Sequence, residues 1–229
     1  MKKIKQIVTI FAALALAVTA GLSFAGTKTK AAGSDEFTRT AIEIAADMGY
    51  GWNLGNTMEA TNTWTSNPKV TDFETAWGQP VTTKAMIDGI KKAGFNSIRI
   101  PVSWSNMMSS DGNYTIDASY FKRVDEIISY AFANDMYVII NDHYDGGWWE
   151  HFCGNKRDCM KHYKNMWTQV AGHYKDYSEK LIFESANEEL SDSLKKSLSK
   201  IDVNISDTAL YNLVNEINQT FVDIVRQSG

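Results

Sequence analysis

The stretch LIFESANEEL, residues 181–190, decides how this chain is read. Leu181, Ile182 and Phe183 look like a buried strand, yet Glu184, Asn187, Glu188 and Glu189 follow at once. Burying an ionised carboxylate is costly unless it is paired or neutralised. A dry strand ending in three acids and an amide therefore ends either in solvent or in a site that uses them. Side chains alternate along an extended strand, so Ile182, Glu184, Ala186 and Glu188 share one face if it stays regular. Glu184 lies deeper and is expected to pair with a cation inside the fold. Glu189 falls past the turn and is expected in solvent. Glu188 falls at the mouth, open enough to meet a substrate and enclosed enough to keep the proton that a general acid needs.

Three stretches upstream have the same form: YGWNLGN (50–56), FNSIRIPV (95–102) and MYVIIND (136–142). Helical periodicity fills the intervals. A first helix shows Phe37, Ala41, Ile44, Ala45 and Met48 on one face. The next is capped by Thr82 or Thr83, carries Met86, Ile87 and Ile90, and stops at Gly94. Asp117 caps a helix with Phe121, Val124, Ile127, Ile128 and Ala131. Later helices carry Tyr163, Met166, Trp167, Val170 and Tyr174, then Leu210, Leu213, Val214, Ile217, Phe221, Ile224 and Val225. Four strand–helix units with apolar strands predict a parallel sheet with crossover helices. Both a doubly wound sheet and part of a (β/α)₈ barrel fit that order. The strand tips favour the barrel, because each offers residues that bind or react: Asn53 and Asn56, Arg99 and Trp104, His143, then Asn187 and Glu188. The glycine-rich phosphate loop of a nucleotide-binding sheet is missing from the sequence. With four units where a barrel has eight, the chain reads as the first half of one.

Arg99 sits between Ile98 and Ile100, and a lone buried guanidinium is untenable, so it requires a carboxylate partner. Glu184 is that partner in the structural reading; in the functional reading Arg99 holds a catalytic carboxylate ionised, and a forked guanidinium can do both. His143 joins the same ring of tips. Trp52, Trp64, Trp77, Trp104, Trp148 and Trp149 fall at strand ends or in loops. As a set they lean toward a groove for carbohydrate, whose C–H faces are apolar and whose rims are polar.

The N-terminus reads as a secretory signal over 1–25. Lys2, Lys3 and Lys5 precede the run IVTIFAALALAVTAGLSFA, and Ser23-Phe24-Ala25 fits a cleavage site. A polar linker, 26–34, and a catalytic unit, 35–229, follow. A net charge of −4 argues against nucleic acid or an anionic membrane as partner. Export permits disulfides, and the two cysteines, Cys153 and Cys159, are expected to close a local bridge contributing about 2 kcal/mol. Neither a metal site nor a cofactor is expected.

With these residues in place, YGWNLGNTMEA, AWGQPVTTKAMIDGIKKAGFNSIRIPVSW, YVIINDHYDGGWW and LIFESANEEL resemble, in order and at family-like spacing, glycoside hydrolase family 5, the cellulase family of (β/α)₈ barrels. The resemblance implies a secreted endo-β-1,4-glucanase or close relative acting on a β-glucan by a retaining double displacement. It implies Glu188 as acid/base and Asn187 on the sugar 2-hydroxyl. Arg99 and His143 match the family's active-site arginine and histidine, and Asn53, Trp104 and Trp148 would line the glucan groove. Where the family commonly has a second histidine after His143, this chain has Tyr144. The family's nucleophile, a glutamate on the seventh strand, is expected to be missing. Glu184 cannot replace it: four residues along one strand put it about 13 Å from Glu188, whereas retention needs about 5–5.5 Å. The expectation is thus a hydrolase fragment carrying the acid without the nucleophile; a non-catalytic carbohydrate-binding half barrel is the alternative.

Overall fold

The computed structural model describes residues 39–189 and 205–229, so the segments read as a signal peptide and a linker, and Phe37, lie outside the described residues. In order, the elements are α1 (Ala41–Met48), β1 (Gly51–Asn53), α2 (Val70–Glu74), α3 (Lys84–Lys92), β2 (Ser97–Ile100), α4 (Ala118–Phe132), β3 (Tyr137–Asn141), α5 (Lys156–Tyr174), β4 (Leu181–Glu184) and α6 (Asp207–Ser228). Two 3₁₀ segments, Trp104–Met107 and Asp145–His151, follow β2 and β3. The four strands form one parallel sheet in the order β1-β2-β3-β4, as the alternation predicts for half of a barrel. The predicted strands are shorter in the structure because their polar ends leave the sheet as loops.

Register explains the two faces. Asn53 pairs Arg99, Arg99 pairs Ile139, Ile139 pairs Ile182, and two residues on Asn141 pairs Glu184. Those residues share one face. The opposite face carries Ile98, Ile100, Val138, Ile140 and Leu181, buried under the helices. The helix stripes supply the other side of that core: Ile87 from α3, then Tyr120, Val124, Ile127, Ile128 and Ala131 from α4. Tyr163, Met166, Trp167 and Val170 follow from α5, and Leu210, Leu213 and Ile217 from α6. On α4 it is Tyr120 rather than Phe121 that is fully buried, its hydroxyl donating to the Met58 carbonyl at 2.6 Å. Thr83 caps α3 by accepting from the Met86 N–H, and Asp117 caps α4 by accepting from the Ser119 N–H. Gly94, at φ +98°, takes the left-handed turn that stops the α3 segment.

The first helix departs from its reading. Among its residues none is buried and Ile42 is exposed; its contacts are polar, with Asp47 accepting from the Tyr137 hydroxyl at 3.1 Å and from the Asn96 side chain, at the starts of β3 and β2. A buried ion pair anchors the long β1–α3 connection: the Arg123 guanidinium on α4 donates to both carboxylate oxygens of Glu74, at 2.7 and 2.8 Å. No helix among the described residues is long and apolar enough to cross a membrane.

Candidate active site

Arg99 is the centre of the open face. Its Nε and one terminal nitrogen each reach a Glu184 oxygen at 2.7 Å, the two-pronged pairing that fixes both side chains. The same terminal nitrogen donates to Asn187 Oδ1 at 2.9 Å, and the other donates to Asn53 Oδ1 at 3.0 Å. One guanidinium thus gathers the tips of β1, β2 and β4, and Glu184 is its structural partner as the sequence implies. The Glu184 carboxylate raises the pKa of Arg99, against the burial that lowers it, with Glu59 and Glu188 adding to the rise. Buried Glu59 is the acid that sequence reading missed. Its carboxylate accepts from the N–H groups of Asn56 and Thr57 at 2.5 and 2.9 Å and so pins the loop after β1, where Asn56 has φ +62°. The signal available was a glutamate three residues after an asparagine in a turn, NTME.

Glu188 follows Asn187 and lies exposed at the mouth rather than half enclosed. Glu189 is a correction. It is not solvated past the turn: it is half-buried, and its Oε1 accepts from the Tyr144 N–H at 2.8 Å. Burial raises its pKa, and the charges of Asp145 and Glu188 raise it further. The chain curls back after Asn187 instead of continuing straight, which brings Glu189 against the loop after β3.

His143 stands beside this cluster. Its N–H donates to the Val102 carbonyl at 3.0 Å, and its Nδ1 lies 3.3 Å from the side-chain nitrogen of buried Asn141. Asn141 accepts from the Val102 N–H through Oδ1, so its amide nitrogen is the donor to His143. The imidazole proton therefore sits on Nε2. Burial lowers the His143 pKa, and the positive Arg99 lowers it further, so the ring is neutral near pH 7.

Three of the groove assignments can be located. Asn53 is in place on Arg99. Trp104 is not in a groove: it is 0% exposed, donates Nε1–H to the Asn141 carbonyl at 2.9 Å, and packs on Tyr120 and Phe121. The 3₁₀ turn that begins at Trp104 folds its indole under the sheet end, so the ring is core. Trp148 is half-buried, stacked on Trp149 and on His162 with centroids 4.6 and 4.3 Å apart. His162 in turn stacks on Tyr114 at 4.3 Å and 5° between planes, and burial takes its pKa down to about 4. Trp52, Trp64 and Trp77 are exposed, whereas Trp149 is buried. The bridge expected between Cys153 and Cys159 is not formed: both are free thiols, and Cys159 Sγ is turned to the Trp148 carbonyl at 3.8 Å in the first turn of α5. Among the described residues no three His, Cys, Asp or Glu side chains converge as a metal site.

The loop after β3 holds the densest polar cluster. Asp142 and Asp145 are both 0% exposed. Asp145 accepts from the Ser105 N–H at 2.5 Å, the Ser105 hydroxyl at 2.9 Å and Trp148 Nε1–H at 2.6 Å. Asp142 accepts from Trp149 Nε1–H at 2.8 Å. His162 Nε2 lies 3.1 Å from the Ser105 hydroxyl. The backbone here is left-handed at four consecutive residues, Tyr144, Asp145, Gly146 and Gly147, with φ between +47° and +80°.

Comparison with known proteins follows the same residues. The profile of the cellulase family, glycosyl hydrolase family 5, matches residues 58–229. Endoglucanase A of Paenibacillus barcinonensis is 41% identical over 224 residues, covering 95% of this chain and 52% of that protein. Endoglucanase B of Clostridium cellulovorans is 40% identical over 190 residues, covering 83% of this chain and 40% of that protein. The solved structure of a broad-specificity endoglucanase from Ruminococcus champanellensis with bound cellotriose superposes with a TM-score of 0.73 at 39% identity, over 83% of this chain and 54% of that one. The chain therefore spans about half, or less, of the curated relatives it matches.

Proposed function

The chain belongs to the cellulase family, glycosyl hydrolase family 5, and from that premise we propose that it carries the acid/base side of a secreted endo-β-1,4-glucanase site acting on cellulose or a related β-glucan. The observation that supports this best is the Arg99 fork. By holding Asn187 Oδ1 at 2.9 Å it leaves that amide's nitrogen free to donate, and it sets the next residue, Glu188, at the open mouth. Asn187 then donates to the sugar 2-hydroxyl beside the bond to be cut. Glu188 delivers its proton to the glycosidic oxygen as the bond breaks, and later takes one from the water that completes the reaction. Neutral His143 offers Nε2–H to a second hydroxyl. Arg99, already neutralised by Glu184, orders the floor without repelling the cationic sugar of the transition state.

A retaining mechanism requires a second carboxylate about 5–5.5 Å from the first. In this reading it is the family's seventh-strand glutamate, outside the four strand–helix units described, and those units do not turn substrate over without it. Export is proposed from the basic residues Lys2, Lys3 and Lys5 ahead of an apolar run. The cellotriose bound to the Ruminococcus relative supports a β-glucan substrate. The test is Glu188→Gln in the complete enzyme. Turnover of β-glucan falls about 10²–10⁴-fold, cello-oligosaccharide binding is retained, and aryl cellobiosides with good leaving groups lose far less in bond cleavage. Unchanged β-glucan turnover removes Glu188 from the role.

A further inference from the structure

The buried acids after β3 serve no step above, yet they are the most enclosed titratable groups near the site. Their surroundings contain no compensating charge: among the described residues neither Asp142 nor Asp145 forms an ion pair with lysine or arginine. The two carboxyls accept from the indole N–H groups of Trp148 and Trp149, whose rings stack 4.6 Å apart, so they face one dry space, where two ionised carboxylates do not fit without a cation. The donors are divided unevenly. Asp145 accepts three hydrogen bonds, whereas Asp142 accepts one and its buried Oδ1 meets no N–H or hydroxyl donor. An oxygen so placed is satisfied if it carries the proton and donates it to Asp145.

We propose that Asp142 and Asp145 share one proton, resident on Asp142, and act as positioning residues that hold the left-handed turn 144–147 and, through the Tyr144 N–H on Glu189, the loop that presents Glu188. Ionised Asp145 draws in Ser105 and Trp148 from either side, and Asp142 draws in Trp149. That clamp keeps Tyr144 at φ +53°, a conformation non-glycine residues rarely adopt, and aims its N–H at Glu189. The next peptide back from Glu189 belongs to Glu188. The inference rests on the proposed role of Glu188 only in naming what the loop carries.

Several titratable groups face the pair. Glu189 comes from the loop after β4, His162 from α5 through Ser105, Tyr163 from α5 and Tyr120 from α4. Burial raises the pKa of both aspartates, Asp142 further; the charge of Asp145 opposes ionisation of Asp142, whereas Asp142 favours the ionised form of Asp145. Deprotonating Asp142 places two charges in one dry space and loosens the turn.

The experiment uses the whole chain labelled with ¹⁵N and reads no activity, so its failure is distinct from failure of the glycosidase reading. In the wild type the Trp148 and Trp149 indole N–H signals and the Tyr144 amide move together as pH rises above the carboxylate range. Asp142→Asn, whose amide donates to Asp145 as the protonated acid does, abolishes that shared titration and leaves the three signals at their low-pH positions. Asp145→Asn removes the acceptor and speeds Tyr144 amide exchange about tenfold or more. A shared titration that survives in Asp142→Asn, or three signals that do not titrate in the wild type, overturns the proposal even if Asp145→Asn fails to fold.

Discussion

Acid should weaken this protein through a histidine that has no charged partner. His162 lies in a stack between Tyr114 and Trp148, each ring 4.3 Å away, and burial takes its pKa down to about 4. In the unfolded chain an imidazole titrates near 6.5. Between those two values the unfolded chain binds one more proton than the folded one, so stability rises with pH there and is lost on acidification. The contribution is whole above pH 6.5, erodes from 6.5 to 4, and is gone below 4. The gap of about 2.5 pH units corresponds to about 3 kcal/mol in full, and about 2.5 kcal/mol of it is lost by pH 4.5. Urea unfolding of the wild type and of His162→Phe at pH 7 and pH 4.5 isolates this part. Phenylalanine keeps the stack without titrating, and every other group cancels in the comparison. The wild type should lose about 2–3 kcal/mol more than the variant over that interval. Equal losses in the two proteins refute the claim that packing holds His162 neutral.

Arg99→Lys replaces a fork that holds Glu184, Asn53 and Asn187 with a single point charge. In the complete enzyme, kcat/KM on β-glucan should fall about 100-fold or more while denaturant stability falls by about 1–3 kcal/mol; a wild-type rate would show that the fork does not order the site. Trp104→Ala removes a fully buried indole and should cost about 3–5 kcal/mol in urea unfolding. Its cello-oligosaccharide affinity, measured by calorimetry on folded protein, should not change, because the ring touches core and not groove.

What could be read ahead of the coordinates was whatever shows up as a contradiction in local pattern. A charge inside SIRI has one physical remedy, so Arg99 named Glu184 across 85 residues. Apolar strands alternating with capped stripes left little choice but a parallel sheet. Positions decided by loop geometry were not legible. Trp104 looks like a rim aromatic because it follows a strand, but the 3₁₀ turn beginning there folds it beneath the sheet. Glu189 looks like a residue past a turn, and only the curl of the chain shows that it meets the Tyr144 N–H. Asp142 reads as the polar end of MYVIIND. The clue to its pairing with Asp145 was the run DHYDGGWW, with two acids flanking a turn that two glycines permit and two indoles that can donate. The stripe on α1 failed for the opposite reason: its periodicity is sound, but the helix is held by polar contacts to Asn96 and Tyr137 and buries none of its residues.

The order of the strands also sets a timetable. Each strand pairs with the one made just before it, so the sheet can grow as the ribosome delivers it. Arg99 breaks that sequence. It emerges with β2, but its carboxylate arrives 85 residues later, about 4–17 s at ordinary rates of synthesis. Through that interval the guanidinium stays hydrated on the open face, and Asn53 has only half of its frame. Only arrival of β4 expels that water and gathers Asn187 in the same movement. Until β4 pairs with β3, the open face therefore lacks both the carboxylate that neutralises Arg99 and the amide that precedes Glu188.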